Sequence, residues 1–215
     1  MSKKALLIGG ALASLALLPG IASASFVLDT GTPSTDPTNP AAVLSSTSWV
    51  AGEFSLATES NITSLAAFLT PGTSSGRSGA PTFTFDIYSG SSLLNVRQSS
   101  LAPLQSFTAT FSATGWNITN TNFDLGSGTY WLALQMSTAG NTLGLPEEAS
   151  LSTGTAPALG FATLSTNSSS KFTQTGALPV GLEVTASPVP LPAGIWLLGS
   201  GLLSLGAIAR RRLFS

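Results

Sequence analysis

The chain of 215 residues is only 8% charged, has a formal net charge of −1, and contains no cysteine and no histidine. Without those two residue types there is no thiol nucleophile, no Ser-His-Asp arrangement, no ordinary zinc site and no imidazole base, which excludes most hydrolytic mechanisms by inventory. Lys3, Lys4, Arg210, Arg211 and Arg212 crowd the two ends, so the body keeps only Arg77, Arg97 and Lys171 against nine acids; three minus nine is −6, which excludes a basic nucleic-acid-binding face.

The first 24 residues predict a secretory signal peptide. Lys3 and Lys4 form a short positive region and Ala5 to Leu18 is apolar. Pro19-Gly20 breaks that run, and Ala22-Ser23-Ala24 supplies the small residues a signal peptidase reads before Ser25. The apolar core is too short for a membrane span, so cleavage after Ala24 is expected, with signal peptidase as the first partner.

Residues 25–187 predict one domain, long enough to bury about 70% of the surface that the unfolded chain exposes. With no cysteine, its core alone must hold it. Near its start, Asp29-Thr30-Gly31-Thr32 follows Val27-Leu28, the local pattern of an aspartic-protease loop, in which two carboxylates share a proton. A second copy is missing, since Asp36, Asp86 and Asp124 lack a following Ser/Thr-Gly; the simpler expectation is a turn that closes the first strand.

The runs that follow read as strands. Trp49 to Leu56 and Tyr130 to Met136 are apolar on both parities and predict buried strands. Phe83, Phe85 and Ile87, then Phe107, Ala109 and Phe111, then Val180, Leu182 and Val184, alternate with polar or small residues, as half-buried strands do. Thr70-Pro71-Gly72, Ser74-Ser75-Gly76, Ser89-Gly90, Gly126-Ser127-Gly128 and Ala139-Gly140-Asn141 read as turns between them. Gly144 to Gly160 lacks a period and is expected to be a long loop with room for one edge strand. The expected fold is all-β, a single β-sandwich.

Several polar groupings are candidate sites. Asn120, Asn122 and Asp124 alternate like calcium ligands, but the sixth and twelfth positions of that register are Leu125 and Trp131 where a calcium loop needs Gly and Glu. A calcium ion bridging Asp29, Asp36 or Glu183 at a sandwich edge stays open as an alternative; the expectation is no metal and no cofactor. Glu147-Glu148 beside Pro146 reads as a solvated pair, because a glycosidase needs two carboxyls across a cleft. Among the aromatic residues Trp49, Tyr88, Trp116 and Trp131, core demand places Trp49 and Trp131 inside. Trp116, between Gly115 and Asn117, is the candidate for stacking on a ligand. Asn61, Asn117 and Asn167 begin glycosylation sequons that read simply as turn or strand residues.

After Val184 the character changes. Ser187-Pro188-Val189-Pro190-Leu191-Pro192 is a Pro-rich hinge, followed by an uncharged apolar stretch to Ala209 and then Arg210, Arg211 and Arg212. From Leu191 to Ala209, 19 residues in helix would rise roughly 28 Å, close to the ~30 Å thickness of a bilayer core. The apolar residues surround such a helix on all sides, unlike the stripe of a buried soluble helix, and the three arginines orient it with its end in the cytoplasm and the body outside.

The hinge with Val189, Pro190 and Pro192, the Gly-containing apolar segment Leu198-Gly199-Ser200-Gly201-Leu202-Leu203 and the terminal arginines together resemble the PEP-CTERM sorting signal of Gram-negative bacteria. Leu191 stands where that family usually has glutamate, a Val-Pro-Leu-Pro variant. The resemblance implies a hinge over 188–192, a transmembrane helix over 193–209, a basic stop over 210–215, and processing near the hinge by an exosortase-type enzyme. Val27-Leu28-Asp29-Thr30-Gly31-Thr32-Pro33, Leu44-Ser45-Ser46, Trp49-Val50-Ala51-Gly52-Glu53-Phe54 and Gly128-Thr129-Tyr130-Trp131-Leu132-Ala133 are similar to a jelly-roll-like ectodomain that recurs on such sorted proteins.

Together the two resemblances imply an exported, non-catalytic surface or matrix protein. It would be tethered transiently in the inner membrane and associated with exopolysaccharide or biofilm. A surface carbohydrate-binding module, an enzyme with convergent acids in a pocket, and a permanently membrane-anchored ectodomain are the open alternatives.

Overall fold

The computed structural model describes residues 23–33, 40–74, 80–90, 93–94, 102–137, 140–146, 154–165, 171–176 and 180–189. The described residues contain β-strands and no helix: β1 (Ser25–Asp29), β2 (Pro40–Leu44), β3 (Ser48–Leu56), β4 (Ser60–Ser74), β5 (Thr82–Ser89), β6 (Gln105–Thr110), β7 (Gly115–Leu125), β8 (Gly128–Met136), β9 (Asn141–Pro146), β10 (Phe161–Ser165), β11 (Thr173–Thr175) and β12 (Leu182–Pro188). They pair antiparallel into two sheets. The first runs β1-β12-β4-β9-β2, with β7 also on β4; the second runs β11-β10-β3-β8-β5-β6.

Alternation dictates which side chains lie between the sheets. Phe83, Phe85 and Ile87 of β5, Leu132 and Leu134 of β8, and Val50 and Phe54 of β3 meet Leu28 of β1, Leu65 and Leu69 of β4, and Leu182 and Val184 of β12 in one continuous buried cluster. Burying each such side chain contributes about 1.5–3 kcal/mol. Phe107 of β6 and Phe123 of β7 stack across the open end of this layer, with centroids 5.3 Å apart.

β4 departs from simple alternation. Its inward residues are Ile62 and then Leu65, Ala67 and Leu69, a change of parity at Thr63. Both neighbours show the cause: β12 pairs Ala186 with Ile62 and Thr185 with Ser64, and β7 pairs Phe123 with Ile62 and Asn120 with Ser64. Thr63 is thus a bulge, an extra residue that turns the rest of the strand over.

The strands expected around Trp49, Phe83, Phe107, Tyr130 and Leu182 are present. Two expectations fail. Thr70-Pro71-Gly72 is not a turn but the end of β4, where Thr70 pairs with Gly144 and Pro71 with Leu143. Gly72 can sit there because its missing Cβ leaves space for the backbone of Thr142, which any side chain would strike. The long loop from Gly144 begins inside β9, which lies between β4 and β2 and is not an edge strand.

The outer face of the second sheet carries its own apolar layer. Trp49, Ala51, Trp131, Ala133, Tyr88, Ala162 and Leu164 point away from the main core and are covered by Leu93 and Phe172. A parallel bridge between Leu94 and Phe172 holds that cover together. Strands apolar on both parities are therefore buried on both faces, and Trp49 and Trp131 lie inside as expected, at 7% and 1% exposure.

Candidate functional site

Both carboxylate oxygens of Asp29 are engaged in hydrogen bonds within the fold. One of its carboxylate oxygens accepts the Gly31 N–H at 3.0 Å, and the other accepts the Thr155 N–H at 2.8 Å and the Thr155 hydroxyl at 2.7 Å. Its backbone N–H donates to Ala156 at 2.6 Å. Gly31 takes φ 98°, a conformation that favours glycine, so Asp-x-Gly here closes the first strand, as the simpler reading had it. Next to it, Thr30 is buried, and its hydroxyl donates to Val180 O at 2.6 Å while accepting the Leu182 N–H at 2.8 Å.

The remaining sequence candidates distribute as follows. Asn122 and Asp124 stand on β7, and their side-chain oxygens accept two N–H bonds from Asn61 of β4, at 2.9 and 2.8 Å, a cross-strand clamp. Asn117 is buried and staples its own turn, accepting from Ser112 N at 3.0 Å and donating to Gly115 O at 2.9 Å. Trp116 is half-buried and meets Phe68 edge-on at 5.6 Å. Glu183 is the cross-strand partner of Asp29; burial, and then the charge of Asp29, raise its carboxyl above the usual range. No group of three or more metal-binding side chains occurs among the described residues. Asp36, Glu147, Glu148 and Asn167 lie outside the described residues.

Of the residues expected to form the two sorting signals, Ala24 and Val189 are exposed and Ser25 opens β1. β12 extends through Pro188, the first residue of the expected hinge, and Val189 N donates to Glu59 O at 3.2 Å. Ala22, Pro190, Leu191, Pro192, Arg210, Arg211 and Arg212, with the segment 193–209, lie outside the described residues. No helix among the described residues is long and apolar enough to cross a membrane.

Two acids that local sequence places in strands have unusual surroundings. Asp86 of β5 is 1% exposed beneath the second apolar layer. Its oxygens accept the Ser106 hydroxyl and the Gln135 amide N–H, each at 2.6 Å. Burial raises its carboxyl above the usual range, against the opposing pull of those two bonds. Tyr88, also on β5, has its phenol pushed up by burial and by the Asp86 charge, so it stays protonated.

Glu53 is the second. It projects from β3 beside Trp131, its cross-strand partner on β8, into an open cleft of about 580 Å³ lined also by Ser89, Gly90 and the stretch from Ser127 to Tyr130. The cleft lies where β3, β5 and β8 end against the β7–β8 turn. Gly90 N donates to Thr129 O at 2.7 Å, Trp131 Nε1 donates to Gly90 O at 3.3 Å, and the Tyr130 hydroxyl donates to Gly126 O at 3.0 Å, which fixes floor and rim. Glu53 is half-buried and its carboxyl is raised by burial, with no hydrogen bond or opposite charge from the described residues acting on it. Sequence reasoning passed over it; the available signal was a lone acid inside the apolar run Trp49 to Leu56.

No protein-family model matches the chain, and no curated protein is significantly similar to it. Among the described residues the cleft offers one carboxylate, hydroxyls and backbone groups, and none of these lining residues is basic. Such a set favours hydrogen-bond donors and disfavours anions.

Proposed function

We propose that this is an exported bacterial surface or extracellular-matrix protein with a non-catalytic body. In this reading signal peptidase cuts after Ala24, the segment 193–209 tethers the precursor in the inner membrane, and an exosortase-type enzyme processes the hinge around Val189, Pro190, Leu191 and Pro192. The body then reaches the cell surface or the extracellular polysaccharide.

One observation carries the reading. Ser25 pairs with Ala186, so the first residue after the expected signal cleavage and the last residues before the hinge are neighbours on adjacent strands. Both expected cuts therefore fall just beyond the same sheet, and removing either segment takes away none of the described strands. Four residues separate Pro188 from Ala193, at most about 14 Å of extended chain, which would hold a tethered body close to the bilayer.

The jelly-roll reading has its own support in the strand order. Without β2, β9, β10 and β11, the sheets reduce to β1-β12-β4-β7 and β3-β8-β5-β6. In chain order the eight strands then go to sheets one, two, one, two, two, one, two, one, the alternation of a double-sheet jelly roll.

Intact mass spectrometry of the membrane and surface fractions of the native host tests the sorting reading. A body that begins at Ser25 and ends near Pro190 to Pro192 is expected. A membrane species that retains Arg210 to Arg212 would instead make the tail a permanent anchor.

A further inference from the structure

From the cleft at Glu53 we infer a binding site for a hydroxyl-bearing ligand of the sugar class, in which the Glu53 carboxylate and the Thr129 hydroxyl accept and exchange hydrogen bonds with ring hydroxyls. This deepens the extracellular reading by naming what the exported body would meet, and it rests on that reading for the ligand's source.

A carboxylate on a strand otherwise filled with apolar residues loses hydration, and the loss is normally offset by a cation or by donated hydrogen bonds. Asp86 shows the offset, with two donors at 2.6 Å. Glu53 has neither among the described residues, although burial acts on it in the same direction. Departures of this kind from local rules concentrate where a protein meets a ligand.

The surroundings limit what the ligand can be. A side chain at Gly160 would come within 3.1 Å of Glu53 Oε2 and 3.4 Å of Gln174 Nε2, so an acceptor and an amide converge beside the Trp131 indole. On the opposite rim, a side chain at Gly90 would lie 2.8 Å from Thr129 O, so glycine there keeps backbone and Thr129 close together. Trp131 and Tyr130 are covered and shape the floor; they offer no stacking face. Specificity therefore falls on hydroxyl and carboxylate groups, and a described lining with a carboxylate and no basic residue disfavours phosphorylated or acidic ligands. The volume of about 580 Å³ lies inside the range of small-ligand sites.

The test is calorimetric titration of the full-length chain, purified in detergent, with neutral trisaccharides of glucan, mannan and chitin type, and separately with putrescine. Saturable binding of a trisaccharide is expected, weakened roughly tenfold or more by Glu53→Gln and by Thr129→Val. Thr129 is exposed, so its variant separates binding from folding, and thermal midpoints checked in parallel should be unchanged. No saturable sugar binding, or binding that both variants retain, would overturn the assignment. Binding of putrescine alone, lost in Glu53→Gln, would overturn the sugar class in favour of a cation site. None of these outcomes bears on where the chain is cut, which the mass measurement reads independently.

Discussion

Asp29 at the end of β1 accepts both the N–H and the hydroxyl of Thr155, 126 residues further along the chain, and so ties the first strand to the segment that leads into β10. An acid that resembles a protease motif in sequence is here a clasp between distant parts of the fold. Replacement by Ala would leave the N–H groups of Gly31 and Thr155 and the Thr155 hydroxyl without an acceptor. We expect Asp29→Ala to lower stability by about 2–4 kcal/mol, read as a lower urea midpoint at unchanged slope.

Gly154 belongs to the same clasp, because a Cβ there would strike the carbonyl of Asp29 and the N–H of Gly31. Gly154→Ala should therefore also destabilise, by about 1–3 kcal/mol. Its effect should not add to that of Asp29→Ala, since each substitution opens the contact on which the other depends. A double-mutant cycle by urea unfolding checks this: fully additive losses would mean that the two residues act separately.

The clasp was not legible in sequence because its partner is too distant for any local pattern to reveal. The strands with regular alternation, such as Phe83 to Ile87, were legible, and so were the doubly apolar ones, although the reason for their double burial is the layer around Leu93 and Phe172. β4 was hidden by two features: the bulge at Thr63 breaks its period, and Pro71-Gly72 imitates a turn. Along β7 exposure alternates, so its polar residues Asn120, Asn122 and Asp124 face solvent and imitate a loop. Asp86 reads as an outward residue; it is buried against Ser106 and Gln135 of the neighbouring strands, partners that alternation cannot announce. Glu53 could have been singled out, as the one acid in a run that should have had none.

Trp49 and Trp131 share the outer layer but differ in one bond. Trp131 Nε1 donates to Gly90 O at 3.3 Å, whereas Trp49 Nε1 is buried with no partner among the described residues. An unpaired buried donor costs about 1–3 kcal/mol, which Trp49→Phe would relieve while losing ring volume. Trp49→Phe should fall within about 1 kcal/mol of wild type, and Trp131→Phe about 2 kcal/mol or more below it. Equal losses in chemical denaturation would refute the role given to the Gly90 bond.

Asp86, Glu53 and Glu183 all have carboxyls raised above their ordinary values by burial. A group raised on folding holds its proton more tightly in the native state. Its stabilising contribution is full below the unfolded value, 3.8 for Asp and 4.5 for Glu, and is lost as pH rises through the folded value. These three groups should therefore make the body more stable just above pH ~4 than at pH ~7, the reverse of ordinary acid denaturation. Urea midpoints across that window measure the slope, and Asp86→Asn, which cannot ionise, should flatten it.

β12 is the last of the described strands, yet it lies inside its sheet, with β1 on one side and β4 on the other. Leu182, Val184 and Ala186 of that strand are buried in the main core. Truncation after Gly181 would remove those side chains and leave two strands without a shared partner, which exceeds the 5–15 kcal/mol that holds a typical domain together. That chain should not fold. Truncation after Val189 removes only the hinge remainder, the apolar segment and the arginines, and keeps the bond from Val189 N to Glu59 O. It should give a monomeric body with β-type circular dichroism and a cooperative thermal transition. Loss of the transition in this longer chain would show that the tail contributes to the fold and is not a detachable sorting signal.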